Sequence, residues 1–298
     1  MQFKNVIGQT ELKKDFIREI KQGKIAHAQL FMGSLGHGGL PLALAFTQYL
    51  FCKNPTDTDS CGVCPSCLKV QDLQHPDVHF VYPVVQAISK VSDSFLADWR
   101  TQLKEEPYFD AYSWTKRIDS KERKPIIGTE ESAEIIRKLN LKSYEGGYKI
   151  MIIWMADKMN IDASNKLLQL LEEPSDNTIF ILISENEEDI IQTIRSRCQV
   201  LHFNGIPEQI IAQELVHRKG LDIKMATKIA HQAQGNFNLA LKLLSDDNEE
   251  LPFEQWFVLW VRAAFRAKGN AAAIHDLILW SEEIAKLGRE TQKKFLAY

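Results

Sequence analysis

Two groups of residues in this 298-residue chain have the types and spacing to do chemistry. The first is FMGSLGHGGL, residues 31–40. Gly33, Gly36 and Gly38 stand where a G-x-x-x-x-G-K-[ST] phosphate loop, in its G-x-x-G-x-G form, places its glycines. Such a loop lets backbone N–H groups close on phosphate oxygens, while its lysine reaches the β/γ-phosphates and its hydroxyl holds Mg2+. Here the lysine position is Gly39 and the hydroxyl position is Leu40. Gly33, Gly36, Gly38 and Gly39 therefore read as a degenerate phosphate loop. A helix N-terminus there could hold an anion weakly, but the charge that phosphoryl transfer requires is missing. An ATPase would also end its central strand in an acidic pair. In KIMIIWMADKMN those positions hold Trp154 and Met155, and Asp157 falls past the strand end. Two separate parts of one active site are lost together. That pattern suits a decayed ATPase better than a chance run of glycines, and it argues against a functional ATP site.

The second group is cysteine. Cys52, Cys61, Cys64 and Cys67 are spaced C-x8-C-x2-C-x2-C, with Cys198 apart. Two C-x2-C steps supplying four thiolates match a tetrahedral structural zinc site, closed to substrate. Gly62 and Pro65 permit the tight turns, and such a site is worth on the order of 10 kcal/mol to local folding. Cys52, with its long spacer, is the least certain ligand; His75 and His79 are the reserves. Only Lys53 and Lys69 flank the knuckle, too few for a nucleic-acid surface. Cys198 reads as a packing residue.

These groups need elements to position them. HAQLFMG (27–33) reads as a buried strand feeding the glycine loop, and LPLALAFTQYLF as the helix after it. DVHFVYPV, YKIMIIWMA, NTIFILIS and CQVLHF read as further strands. TELKKDFIREIKQ (10–22) reads as a helix capped by Thr10 and stopped at Gly23, and TEESAEIIRKLNLKS as one capped by Thr129. DASNKLLQLLEEP reads as a helix capped by Asp162 and ended at Pro174, leaving Glu172 and Glu173 solvated at its end. Strands alternate with helices to residue 203, which argues for a parallel sheet covered on both faces. Only helical patterns follow. Residues 85–125 read as a helical insertion whose aromatics, Trp99, Tyr108, Phe109 and Trp114, look exposed and suited to docking a partner. Hydrophobic residues make up 45% and charged residues 25%, an ordinary globular composition, and a formal charge of -3 gives no global field for nucleic acid. The densest apolar run, IMIIWMA, is too short for a membrane helix. With no signal peptide at the N-terminus, the reading is a cytoplasmic protein.

Taken in order, IGQTELKKDF, IAHAQLFMGSLGHGG, the cysteine knuckle, KIMIIWMADKMNIDASNKLLQLLEEPSDNTIFILIS and TIRSRCQ resemble the delta prime family of bacterial DNA polymerase III clamp-loader subunits, within the AAA+ class. The resemblance covers most of residues 1–245. It implies an AAA+ α/β domain over 1–203, with the knuckle at 52–67 and the insertion at 85–125. A helical lid over 204–245 would follow, then part of a helical collar over 246–298, whose pattern runs on unfinished through QKKFLAY and reads as cut short. Trp256, Trp260 and Trp280 suit helix packing there. The hydrolysing gamma/tau relatives keep the residues lost at Gly39, Leu40, Trp154 and Met155, and an arginine at the position of Asn238. The resemblance further implies that Arg197, in Ser196-Arg197-Cys198, reaches in trans to a neighbour's ATP site, where a guanidinium fork matches the spreading transition-state charge. In isolation, Arg195 and Arg197 would pass for surface charges. The implied partners are gamma/tau-type ATPase subunits, a delta subunit, the sliding clamp and primed DNA within the complex. Two other readings stand beside it: a divergent active ATPase of the gamma/tau type, and a zinc-containing DNA-binding module.

Overall fold

A computed structural model describes residues 1–121, 123–145, 147–246, 253–268, 270–286, 292 and 295. The strands are β1 (Ala28–Met32), β2 (Val78–Val81), β3 (Lys149–Trp154), β4 (Thr178–Ser184) and β5 (Gln199–His202). The helices run α1 (Thr10–Gln22), α2 (Gly39–Phe51), α3 (Pro65–Gln71), α4 (Leu96–Glu105), α5 (Ala111–Ile118), α6 (Thr129–Leu139) and α7 (Ile161–Glu172). They continue as α8 (Gln192–Arg195), α9 (Glu208–Lys219), α10 (Ile223–Ala233), α11 (Phe237–Asp246), α12 (Phe253–Arg266) and α13 (Ala271–Ala285). The chain divides into two compact units, Met1–Leu243 and Leu244–Tyr298. The expected unfinished helix at 292–298 lies mostly outside the described residues.

In the first unit the strands form one parallel sheet in the order β2-β3-β4-β1-β5. This is the helix-covered parallel sheet that the alternation of strands and helices in the sequence implies. β1, β3 and β4 are buried at every residue, because helices cover both faces. Alternation sorts the side chains. Phe31, Ile152 and Ile181 face α1, α2, α4 and α5; Leu30, Ile153 and Leu182 face α6, α7 and α8.

Three helix starts differ from expectation. Thr10 is already inside α1, behind Gln9 in the left-handed region (φ 55°). Thr129 is inside α6, behind Gly128. α7 is capped by Asn160, whose side chain accepts from the Ala163 N–H at 2.8 Å, and Asp162 lies in the first turn.

Residues 85–125 carry α4 and α5, but the aromatics expected to be exposed are buried. Trp99 and Trp114 are 0% exposed, Tyr108 1% and Phe109 3%. Trp99 stacks on Tyr82 with ring centroids 4.1 Å apart and meets Trp114 edge-on at 5.2 Å. Trp154, at the end of β3, joins them: its ring lies 5.3 Å from Trp99 and 4.8 Å from Phe109. Aromatic density in a polar stretch suggests exposure, but here the aromatics form the core beneath an otherwise polar pair of helices.

Candidate functional site

The parallel register brings the C-terminal ends of β1, β3 and β4 together. Gly33 N–H donates to Ser184 O at 3.1 Å, so the glycine loop leaves the sheet beside the end of β4. Gly38 precedes α2 in a left-handed conformation, φ 95°, which glycine alone adopts at no steric cost. A β-carbon at Gly36 would overlap the side chain of Asn236, which arrives from the start of α11. Asn236 Nδ2 also donates to Ser34 Oγ at 2.7 Å. The 204–243 helices thus rest directly on the loop.

The loop's polar groups are met from within the chain. Leu35 N–H donates to Glu185 Oε1 at 2.9 Å, and His37 N–H to Ser34 O at 2.8 Å. Gln9 Nε2 donates to His37 O at 2.9 Å. Glu185 is the first residue past β4; its exposed carboxylate supplies negative charge where a phosphate would need positive charge. Gly39 and Leu40, at the lysine and hydroxyl positions, are buried at the head of α2, and Leu40 is core. Trp154 and Met155 are likewise core. Asp157, beyond them, accepts from Ser184 Oγ at 3.0 Å and pairs with Lys158 Nζ at 2.5 Å. Asn238 is buried with its backbone N against Gly36. Neither Glu185 nor Asn236 was among the expected site residues. The sole signal was Glu185's place as the first charge after an apolar strand.

Arg197 lies just past α8, which short i→i+3 and i→i+4 bonds wind tightly onto the edge of the sheet. Its side chain is 38% exposed, its Nη2 lies 2.5 Å from Glu172 Oε1 at the end of α7, and its Nη1 donates to Thr193 O at 3.1 Å. Glu172, expected to be simply solvated, is its ion-pair partner. Arg195 pairs instead with Glu187 at 2.9 Å. Burial lifts the Cys198 thiol to about 11, which suits a packing residue and not a nucleophile.

The four knuckle cysteines converge: their sulfurs all lie within 4.8 Å of one another. Cys64 precedes α3 with Pro65 at its first position, which turns Cys67 back toward Cys52 and Cys61. Cys61 N–H points at Cys52 Sγ (3.2 Å) and Cys64 N–H at Cys61 Sγ (3.4 Å). Backbone N–H groups of Val63 and Cys64 hold the Cys61 thiol down to about 6, while burial pushes those of Cys52 and Cys67 up. Such a set could hold a metal ion, which would deprotonate all four thiols on binding. His75 is no reserve ligand. It is buried against Phe51, ring centroids 4.1 Å apart, with its Nε2 3.6 Å from Glu145. Glu145 clasps the knuckle, accepting from Ser66 Oγ at 3.0 Å and from Lys69 Nζ at 2.7 Å, and these contacts hold its carboxyl down to about 2. His79 is on β2, outside the cluster.

Residues 8–207 match the family model described as DNA polymerase III, delta subunit. The delta prime subunit of Bacillus subtilis is 28% identical over 210 residues, covering 70% of this chain and 52% of that protein. That of Escherichia coli is 26% identical over 240 residues, covering 80% and 61%. A tau/gamma subunit of Haemophilus influenzae is 24% identical over 246 residues, covering 81% and 30%. The chain thus spans about half to three-fifths of the length of the delta prime relatives it matches. With more than half of its length in the family match, and with delta prime subunits among its relatives, the chain belongs to the DNA polymerase III delta subunit family, in its delta prime clamp-loader branch.

Proposed function

We propose that this chain is a non-hydrolysing clamp-loader subunit that carries Arg197 to the ATP site of a neighbouring gamma/tau-type subunit and so helps load a sliding clamp on primed DNA. One observation carries the reading. The phosphate loop keeps its glycines but meets its own Glu185 carboxylate, and its lysine, hydroxyl and acidic positions are core. Arg197, by contrast, stays partly exposed just past the short helix α8. A fold retained without its own chemistry is accounted for if it presents a residue to another subunit. On this reading 204–245 is the lid, 246–298 is part of a collar, and a delta subunit completes the assembly. The four cysteines hold zinc as a structural ion, since an all-thiolate tetrahedral set suits that metal.

The test is DNA-dependent ATP hydrolysis by the chain assembled with gamma/tau-type and delta subunits, wild type against Arg197→Ala. Turnover at the site Arg197 faces should fall by about 10³-fold or more, with assembly by size-exclusion chromatography unchanged. An undiminished rate in an intact assembly, or hydrolysis by this chain alone, would remove the proposal.

A further inference from the structure

Around the glycine loop, Phe203 stands against Gly33, Asn236 against Gly36, and Glu185 accepts from Leu35 N–H. A nucleotide with its phosphates on the loop would have to leave across Gly38. There it would meet Ile7 and Phe237. These offer what a heterocyclic base uses: a backbone N–H for a ring acceptor, an aromatic edge or face, and a glycine surface without a β-carbon. All three are taken by one side chain. Ile7 N–H donates to Tyr108 Oη at 2.7 Å. The Tyr108 ring meets Phe237 edge-on, centroids 5.1 Å apart at 72°. Its Cε1 and Oη each lie 3.5 Å from where a Gly38 β-carbon would stand.

We propose that Tyr108 is a built-in surrogate for a purine base, occupying the base end of a latent nucleoside site and fastening the 204–243 helices to the sheet without a ligand. This rests on reading the loop as a nucleotide site that has lost its chemistry. The residues around Tyr108 share the fastening. Glu106 reaches Lys219 of α9 at 4.0 Å, and Asp110 pairs with Lys242 of α11. Arg218 of α9 donates to Asn5 O at 3.0 Å and lies over the Phe237 ring at 5.7 Å. The segment between α4 and α5 thus does what a bound nucleotide would do: it touches the loop, the N-terminal segment and the helices beyond residue 204 at once. The order is permanent, because the occupant is covalently part of the chain and no ligand concentration governs it.

The experiment uses the whole chain as wild type, Tyr108→Phe and Tyr108→Ala. Binding of adenosine, which carries no phosphate for Glu185 to repel, and of phenol is measured by calorimetry; hydrogen exchange is followed for peptides over Ile7 and over α11. Tyr108→Ala should bind adenosine at least about tenfold more tightly than wild type, since a vacated apolar cavity takes a ring of matching shape. Its α11 amides should exchange faster, and adenosine should restore their protection. Tyr108→Phe should exchange faster at Ile7 alone and gain no adenosine. The proposal is overturned if Tyr108→Ala keeps wild-type exchange in the sheet yet gains no adenosine, if it takes phenol but not adenosine, or if wild type binds adenosine equally well. Should Tyr108→Ala not fold, Tyr108→Phe decides: faster exchange in α11, or adenosine binding, would overturn it. A silent Arg197→Ala would sink the proposed function and leave this result standing; a silent Tyr108→Ala would do the reverse.

Discussion

Arg197 is parked on its own chain, one guanidinium nitrogen 2.5 Å from Glu172 and another donating to Thr193 O. With 38% and 42% of the two side chains exposed, the ion pair is solvent-screened and shallow. A guanidinium held this loosely can leave Glu172 at little cost, so Glu172→Ala should change the unfolding free energy in urea by less than about 1 kcal/mol. In the assembled complex that variant should hydrolyse ATP at least as fast as wild type. A fall to the level of Arg197→Ala would instead put Glu172 in the site. His79 gives a residue-scale prediction of a different kind. Burial on β2, followed by the positive charge of Lys138, lowers its ring to about 4. A base whose folded value lies below its unfolded value of about 6.5 binds more protons unfolded. Its contribution therefore opposes folding as pH drops from about 6.5 to 4 and is absent above that window. Between pH 7 and 5, wild type should lose about 1–2 kcal/mol more stability than His79→Gln, measured by urea titration at each pH. Residue chemistry of this kind was only partly legible in the sequence. The cysteine spacing specified its own cluster, because C-x2-C steps are local. Glu172, Glu185 and Tyr108 were not legible as partners, because their contacts lie on other elements: Glu185 meets Leu35 across 150 residues, and Tyr108 meets Ile7 across 101.

Among the elements, the cysteine knuckle is held from two sides. α2 delivers Cys52 at its end, and α3 carries Cys67 in its first turn. Glu145, from the loop before β3, ties Ser66 and Lys69 of α3 to the sheet, while Asp77 accepts from the N–H groups of Tyr144 and Glu145 at 2.7 and 3.0 Å. A metal held by the four thiols would therefore stabilise the same short helix as the clasp. Cys64→Ser should abolish bound zinc, from one ion per chain to none by elemental analysis. It should open residues 53–60 to limited proteolysis while circular dichroism retains most of its helical signal. Retained zinc, or collapse of the whole sheet, would show that the cluster is wired differently. The strands were the most legible elements. Runs such as TIFILIS are apolar at nearly every position, and burial on both faces is what such runs require. Helix starts were less so, since Thr10 and Thr129 have the chemistry of caps but Gln9 and Gly128 occupy the turn. The 85–125 aromatics were misjudged as exposed. Trp99 and Trp114 lie among charged neighbours in sequence, and the rings that draw them inward, Tyr82 and Trp154, stand just past β2 and at the end of β3, outside that segment.

Across the whole molecule, the two units differ in what they bury. The first has a continuous aromatic and aliphatic layer on each face of its sheet and a cluster of four cysteines that could hold a metal ion. A chain ending at Asp246 should fold, keep one zinc and unfold in a single cooperative transition by calorimetry. The second unit pairs α12 with α13. Trp280 Nε1 donates to Trp256 O at 3.0 Å, and the Trp260 and Trp280 rings stack at 6.0 Å. Yet Phe265 is 86% exposed, Leu259 56%, and Ile278 and Leu279 50% each. A helix pair of this size buries too little apolar surface to offset its ordering entropy alone. Its exposed residues form the kind of surface that other helices cover. Residues 247–298 made as a separate peptide should therefore show little helix by circular dichroism and gain it on mixing with the gamma/tau-type and delta subunits. The chain ending at Asp246 should in turn lose its place in the assembly while keeping its fold, which centrifugation of the mixture would reveal as a free species. If the shortened chain still assembled, the helical second unit would not be the assembly surface. Any contact that brought Arg197 to a neighbour's site, as proposed, would then have to come from the first unit alone.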